Sequence, residues 1–369
     1  MSAFRTSLAE FAAVCVASIW RTIPAHLPLY LCALVFVPAT AAITYAYNAP
    51  LKFEASVFFL VTVPKFMMVG LFIAALVQFV RLARRGSQSP LQDFGDWAYR
   101  CAVAHDRPGN IVHSLITITP LMVSFSALKE FIPIIHPFSW DPTFEHWDRV
   151  IGFGYAPWEL LQSVIGYPFV TMLIDIAYNL WLIVIFGVLI WQAFFAAASL
   201  TRMQYLLAFS LSWFIAGNLL AIAFASVGPC YFGFLHSPDP YAAQLAYLRE
   251  TSREWPLLAP LVQDRLWASY VDTKGVNIGI SAMPSMHVVA AVLTALIARR
   301  SGKLLGVVLT VYAVVIVIGS VHLAWHYAVD GIVGIGLAIL FWHVAGVLVR
   351  ANACLPVLQT RYSSAAREI

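Results

Sequence analysis

Apolar residues run through this chain in long stretches, broken by short polar joints and by two long mixed segments. A membrane-spanning helix needs about 20 mostly apolar residues. Eight stretches meet or approach that rule: 24–47, 55–80, 109–131, 169–196, 204–226, 284–298, 304–322 and 327–349. The pattern predicts an all-α, polytopic membrane helix bundle of about eight transmembrane helices. The sixth stretch is short and opens on a polar motif, so it is expected to start below the interface. Ahead of the first, Phe4, Leu8, Phe11, Cys15 and Ile19 share one helical face, as in a helix lying in the interface. Glu10 and the lack of an Ala-x-Ala site argue against a cleaved signal. The mixed segments, about 132–168 and 227–283, combine Trp, Tyr and Pro with charge and are expected to form short interfacial helices.

Composition narrows the class. Only 11% of the 369 residues are charged and 61% are hydrophobic, whereas a soluble domain carries about a quarter charged residues. A net charge of +4, dispersed along the chain, gives no footing for nucleic acid. With the N-terminus inside, fourteen Lys and Arg fall in inner segments and seven in outer ones. That bias puts both termini in the cytoplasm. The five cysteines, Cys15, Cys32, Cys101, Cys230 and Cys354, have no paired spacing that would suggest a disulfide framework or a zinc site.

Ionisable groups at membrane depth are costly and mark function by default. His26, His105, His136, His146 and His236 fall in joints or at interfaces, and His113 and His343 stand alone in apolar runs; these read as structural. His287, His326 and Asp330 are different. Ser281-Ala282-Met283-Pro284-Ser285-Met286-His287 opens the sixth span, with Pro284 suited to a first helical turn and the N–H groups there suited to an anion. If the eighth helix starts at Tyr327, His326 and Asp330 share a face. A carboxylate on one imidazole nitrogen raises the basicity of the other, the arrangement of nucleophilic catalysis. By the topology, all three residues lie at one outer level. Asp175 and Lys65, at comparable depth in two spans, are expected to form a buried ion pair. Gly331 and Gly334 are expected to let the eighth helix pack closely.

Pro284-Ser285-Met286-His287 resembles the P-S-x-H motif of the type 2 phosphatidic acid phosphatase (PAP2) superfamily, and His326-Tyr327-x-x-Asp330 resembles its final H-x-x-x-D motif. The His-Tyr pair and Gly228-Pro229-Cys230-Tyr231 look like the inositol-phosphorylceramide-synthase branch, and Asp148-x-x-Ile151-Gly152 leading to Pro157 is similar to a further segment of it. The resemblance covers about 140–345. It implies a six-helix core in a catalytic membrane domain at 109–350, after accessory helices at 1–108 and before a cytoplasmic tail at 351–369. It also implies a phosphohistidine on His326, held by Asp330, with His287 as acid and then base, and Ser285 on phosphate oxygens. No cofactor or metal is needed by that scheme.

Two departures stand out. The family's K-x6-R-P segment is missing before Pro284; Lys129-x6-His136-Pro137 has the spacing but lies two spans earlier and reads as coincidence. Ser320 occupies the place of an expected Arg, so Lys274 and Arg265, with His322 as a further donor, are the expected phosphate ligands. The implied partners are the bilayer, a lipid phosphate substrate and an acceptor that is water, a lipid or a polyol. The expected setting is a bacterial cytoplasmic (inner) membrane with the site facing the periplasm. The rival reading is a lipid transporter or flippase, with Asp175, Lys65 and Asn218 along a path and His326 as a proton relay.

Overall fold

The computed structural model describes residues 8–47, 63–85, 88–197, 199–272 and 279–354. Lys274, residues 55–62 of the second expected span and the tail from 355 lie outside them. Backbone groups in lipid must bond within their own segment, and the apolar runs accordingly fold as helices: α1 (Leu8–Ala46), α2 (Val63–Arg84), α3 (Pro90–Val103), α4 (Arg107–Glu130), α5 (Asp141–Ile151), α6 (Pro157–Ile165), α7 (Pro168–Asn179), α8 (Trp181–Ile190), α9 (Leu200–Leu211), α10 (Ala242–Glu254), α11 (Leu258–Asp272), α12 (Met286–Ser301), α13 (Lys303–His322) and α14 (Ala328–Ala353). No strand occurs among the described residues. Proline sets several starts: α3, α4, α5, α6 and α7 each carry one in the first turn, where its missing N–H has no helical partner to lose.

Six helical stretches among the described residues are long and apolar enough to cross a membrane: Leu8–Ala46, Pro90–Glu130, Pro168–Phe195, Leu200–Ala223, Lys303–His322 and Ala328–Ala353. The chain is a multi-pass membrane protein. α12, at 16 residues, is the short element expected; it lies at the centre of the bundle, against α8, α9, α13 and α14. Gly334 brings α14 onto α12, where an added Cβ would stand 3.1 Å from the Ser285 carbonyl oxygen. The two mixed segments form α5, α6, α10 and α11 over one end of the bundle, with α5 against α14, α6 against α13 and α11 against α7.

Two expectations are corrected. The interfacial helix and the first span form one continuous helix of 39 residues, with Pro24, Pro28 and Pro38 inside it. At 1.5 Å per residue it is about 58 Å long, about twice the hydrocarbon thickness. The Asp175–Lys65 pair is also absent. Asp175 instead accepts the N–H groups of Leu258 and Ala259 at 2.7 and 2.9 Å, and Asn179 bonds it as well. The carboxylate thus caps α11 from another helix, and Lys65 is exposed on α2. Backbone N–H groups at a helix start carry the partial charge that a lysine would have supplied.

At the opposite end from α5, α1 lies against α4. Arg202, only 2% exposed, donates to the Gln192 and Ala193 carbonyls that close the α8 span and to Ser114. His113, which looked solitary in sequence, bonds the Tyr30 hydroxyl and the Ile19 carbonyl. Gly109 sits at the closest approach of α1 and α4, its N–H bonded to Ser18, and a Cβ there would overlap Thr22 and the Ser18 carbonyl. Gly109→Ala is therefore expected to destabilise the protein by about 1–3 kcal/mol, read as a lower thermal midpoint in detergent. An unchanged midpoint would show that the crossing tolerates a methyl group.

Candidate active site

His287 and His326 meet at the end of the bundle covered by α5, α6, α10 and α11. Ser285 caps α12, its hydroxyl accepting the Val288 N–H, and His287 is the second helical residue. Pro284 precedes the cap, joined to Met283 by a cis bond, rather than lying in the first turn. His326 lies in the turn between α13 and α14, and Tyr327 is the cap residue of α14. The helix thus starts one residue later than the expected Tyr327, and His326, just ahead of it, still lies beside Asp330.

The ring of His326 is oriented mainly by a main-chain group. Its Nδ1 stands 2.9 Å from the Ala282 carbonyl oxygen and 3.4 Å from Asp330 Oδ2. A carbonyl only accepts, so Nδ1 carries the proton and Nε2 presents its lone pair. Nε2 faces His287 Nδ1 at 3.3 Å. Burial pushes His326 down to about 3, against the upward pull of the Ala282 bond and with a further push from the Lys129 ammonium; the ring is neutral at ordinary pH. His287 is flanked by Tyr178 and Trp181, with ring centroids 4.8 and 4.4 Å away. The Trp181 indole N–H donates to the His287 carbonyl.

The turn that carries His326 is tied down from several sides. The N–H groups of Trp325 and His326 donate to the Ser320 carbonyl. Ser226 holds the facing segment, its carbonyl accepting Ala282 N–H and its hydroxyl accepting Met283 N–H. Gly228, at φ 89°, lies so close that a Cβ would come 2.8 Å from the Trp325 carbonyl oxygen. Asp330 accepts the Tyr327 N–H. Asp148 accepts the N–H groups of Ala328 and Val329 at 2.8 and 2.9 Å. Asp141 accepts those of Val227 and Gly228 and the Tyr327 hydroxyl, the last at 2.8 Å. Burial pushes Asp141 up, and Asp148 up to about 7, against the backbone N–H bonds that favour their charged forms.

Both histidines line a cavity of about 490 Å³, walled by Phe125, Tyr178, Trp181, Trp213, Tyr231 and Trp325 together with Lys129, Glu130 and Asn179. Lys129 is the one Lys or Arg among the described residues in that wall. The Lys-x6-His-Pro spacing set aside as coincidence marks a residue of the site, because α4 ends at the same level as α12 begins. Three expected phosphate ligands lie elsewhere. Ser285 is buried and spends its hydroxyl on the α12 cap. His322 is buried and bonds Thr171 at 2.9 Å, outside the cavity wall. Arg265 is exposed on α11, which turns Val262 and Leu266 to the cavity instead. Lys274 lies outside the described residues. Asp175, Lys65 and Asn218 are absent from the wall, so the path imagined for transport is not formed around this cavity. No group of His, Cys, Asp and Glu suited to a metal ion occurs among the described residues.

A family model described as the PAP2 superfamily matches residues 143–344, from within α5 into α14. No curated protein and no solved structure matches the chain. The geometry makes one prediction independent of any reaction. In histidine-labelled protein, nitrogen NMR is expected to find His326 neutral and protonated on Nδ1 from pH 8 to about pH 5. A ring protonated on Nε2 would contradict the bond to Ala282.

Proposed function

The chain belongs to the PAP2 superfamily, and from that premise we propose that it is a membrane enzyme that cleaves or transfers the phosphoryl group of a lipid phosphate ester through a phosphohistidine. The observation that carries this reading is the neutral His326, its Nε2 directed at His287 in the wall of an aromatic cavity that also holds Lys129. The excess of Lys and Arg in the other set of connections supports an outer-face position for this site.

In the first half-reaction the Nε2 lone pair attacks phosphorus. The bond to the leaving alkoxide breaks as His287, in its imidazolium form beside the bound phosphate anion, delivers a proton to that oxygen and becomes the neutral base of the next step. The phosphoryl group displaces the direct contact between the rings, which at 3.3 Å is a long hydrogen bond. In the second half-reaction His287 takes a proton from water or a hydroxyl, whose oxygen attacks phosphorus and releases His326. Lys129 supplies positive charge beside the phosphate oxygens, and the hydrophobic walls strengthen that attraction by excluding water. Asp330 supports the His326 ring from behind.

A second reading, head-group transfer to a lipid or polyol hydroxyl as in inositol-phosphorylceramide synthases, is favoured by the size of the cavity. At about 490 Å³ it falls in the range of sites that enclose whole small molecules, leaving room for an acceptor beside the phosphate.

Purified protein in detergent is expected to release phosphate from phosphatidic acid or a prenyl diphosphate, with inhibition by vanadate. Failing that, it should form product from phosphatidylinositol and ceramide. His326→Ala is expected to abolish turnover, and near-normal activity in that variant would remove the proposed nucleophile. Lys129→Gln is expected to raise KM by about tenfold or more, the worth of one hydrogen bond to a charged group; an unchanged KM would take Lys129 out of the site. Because burial depresses His326, the acid limb of kcat/KM should lie below about pH 5 for a phosphodiester, whose charge is constant there. A limb near 6.5 would identify an ordinary exposed histidine as the base.

A further inference from the structure

Asp141 and Asp148 stand on one face of α5, seven residues apart, with Phe144 between them, and this face is buried while Trp147, Val150 and Ile151 on the other side are exposed. A short helix outside the spans has no need of two buried carboxylates for its own stability, since each costs free energy unless its oxygens are satisfied. The donors that satisfy them belong to the two segments that frame the nucleophile. Asp148, 3% exposed, takes the first two N–H groups of α14. Asp141 takes the Tyr327 hydroxyl and the N–H groups of Val227 and Gly228, and Gly228 lies close enough to the Trp325 carbonyl that an added Cβ would stand 2.8 Å from its oxygen. The residues before and after His326 are thus both held by acids of the same helix, neither of which touches the ring or the cavity.

From this geometry we propose that Asp141 and Asp148 are positioning residues for His326: they fix the turn 325–329 so that Nδ1 meets the Ala282 carbonyl and Nε2 faces the cavity. The inference rests on the reading of His326 as the nucleophile. Its physical content is separate, because the two acids set the place and tautomer of the ring whatever reaction follows. Asp330 alone does not suffice, since its nearer bond is to the Tyr327 N–H, at 3.0 Å, and the His326 ring is farther off. Asp148→Asn keeps one acceptor oxygen but turns an NH2 group toward the second N–H of α14, so the helix start must shift. A displacement of about 1 Å at a reacting group costs about 100-fold in rate.

The test compares Asp148→Asn and Asp141→Asn with the wild type and with Gly109→Ala, which strains the far end of the bundle. In the two acid variants kcat is expected to fall about 10- to 100-fold with KM within about twofold. The nitrogen NMR signature of His326 should change from a single Nδ1–H form to a mixture. Gly109→Ala should lower the thermal midpoint and leave kcat and the NMR signature unchanged. Asp148→Asn with wild-type kcat, or with kcat lowered only as far as Gly109→Ala lowers it, would overturn the proposal, as would an unaltered His326 signature. If the wild type turns over none of the lipids tested, the enzymatic reading fails, and the NMR comparison still decides whether α5 positions the ring.

Discussion

The hydrogen bond from His326 Nδ1 to the Ala282 carbonyl is the constraint on which the rest of the site depends. A carboxylate partner leaves a histidine two stable protonation arrangements, because a proton can reside on either member of the pair. A peptide carbonyl leaves one. The ring must carry its proton on Nδ1, and the second nitrogen is then a free lone pair at any pH where the ring is neutral. Ala282 belongs to the loop before α12, so the same bond locks the two motifs together across 44 positions of sequence. Ser226 extends the lock by bonding Ala282 and Met283 to the end of the α9 span. Three separate chain segments therefore share one rigid junction, and α5 closes it from above.

The expected helical runs were legible because lipid imposes a length rule with little freedom: 109–131 became α4 at 107–130, and 327–349 became α14 at 328–353. The two histidines and Asp330 were legible because polar groups are rare at that depth and their spacing is distinctive. Other features had no signal of that kind. Ala282 acts through its main chain, and nothing about an alanine side chain announces it. Arg265 and His322 were chosen by proximity in sequence, yet the facing of α11 and α13 is set by packing, which turns one to solvent and the other onto Thr171. Lys129 was discounted because it lies two spans before Pro284. Distance along the chain says little about distance in a bundle whose helices return repeatedly to the same level. The joined α1 was not legible because the amphipathic face ahead of residue 24 and the apolar run after it follow different patterns, yet one helix carries both, with Pro24, Pro28 and Pro38 accommodated inside.

The misjudged pair of Asp175 and Lys65 points to a wider regularity. Asp141, Asp148, Asp175 and Asp330 are all buried, and each accepts backbone N–H groups. Asp148 and Asp175 each serve the start of a helix other than their own. A chain with 11% charged residues cannot give every buried acid a lysine or arginine without burying those cations as well, at a further desolvation cost. The first N–H groups of a helix are the less costly alternative, since they need acceptors in any case and already carry partial positive charge. The acids therefore knit the short helices to the spans through main-chain groups, while the arginines of those helices, Arg149, Arg249, Arg253 and Arg265, stay outside the cavity wall. Lys129 is the one Lys or Arg of the cavity wall among the described residues, with Glu130 in the same wall, and among aromatic rings a charge acts strongly on its neighbours. The economy of charge that keeps the bundle compatible with lipid thus leaves the cavity wall a single cation among the described residues, the one proposed to meet the phosphate.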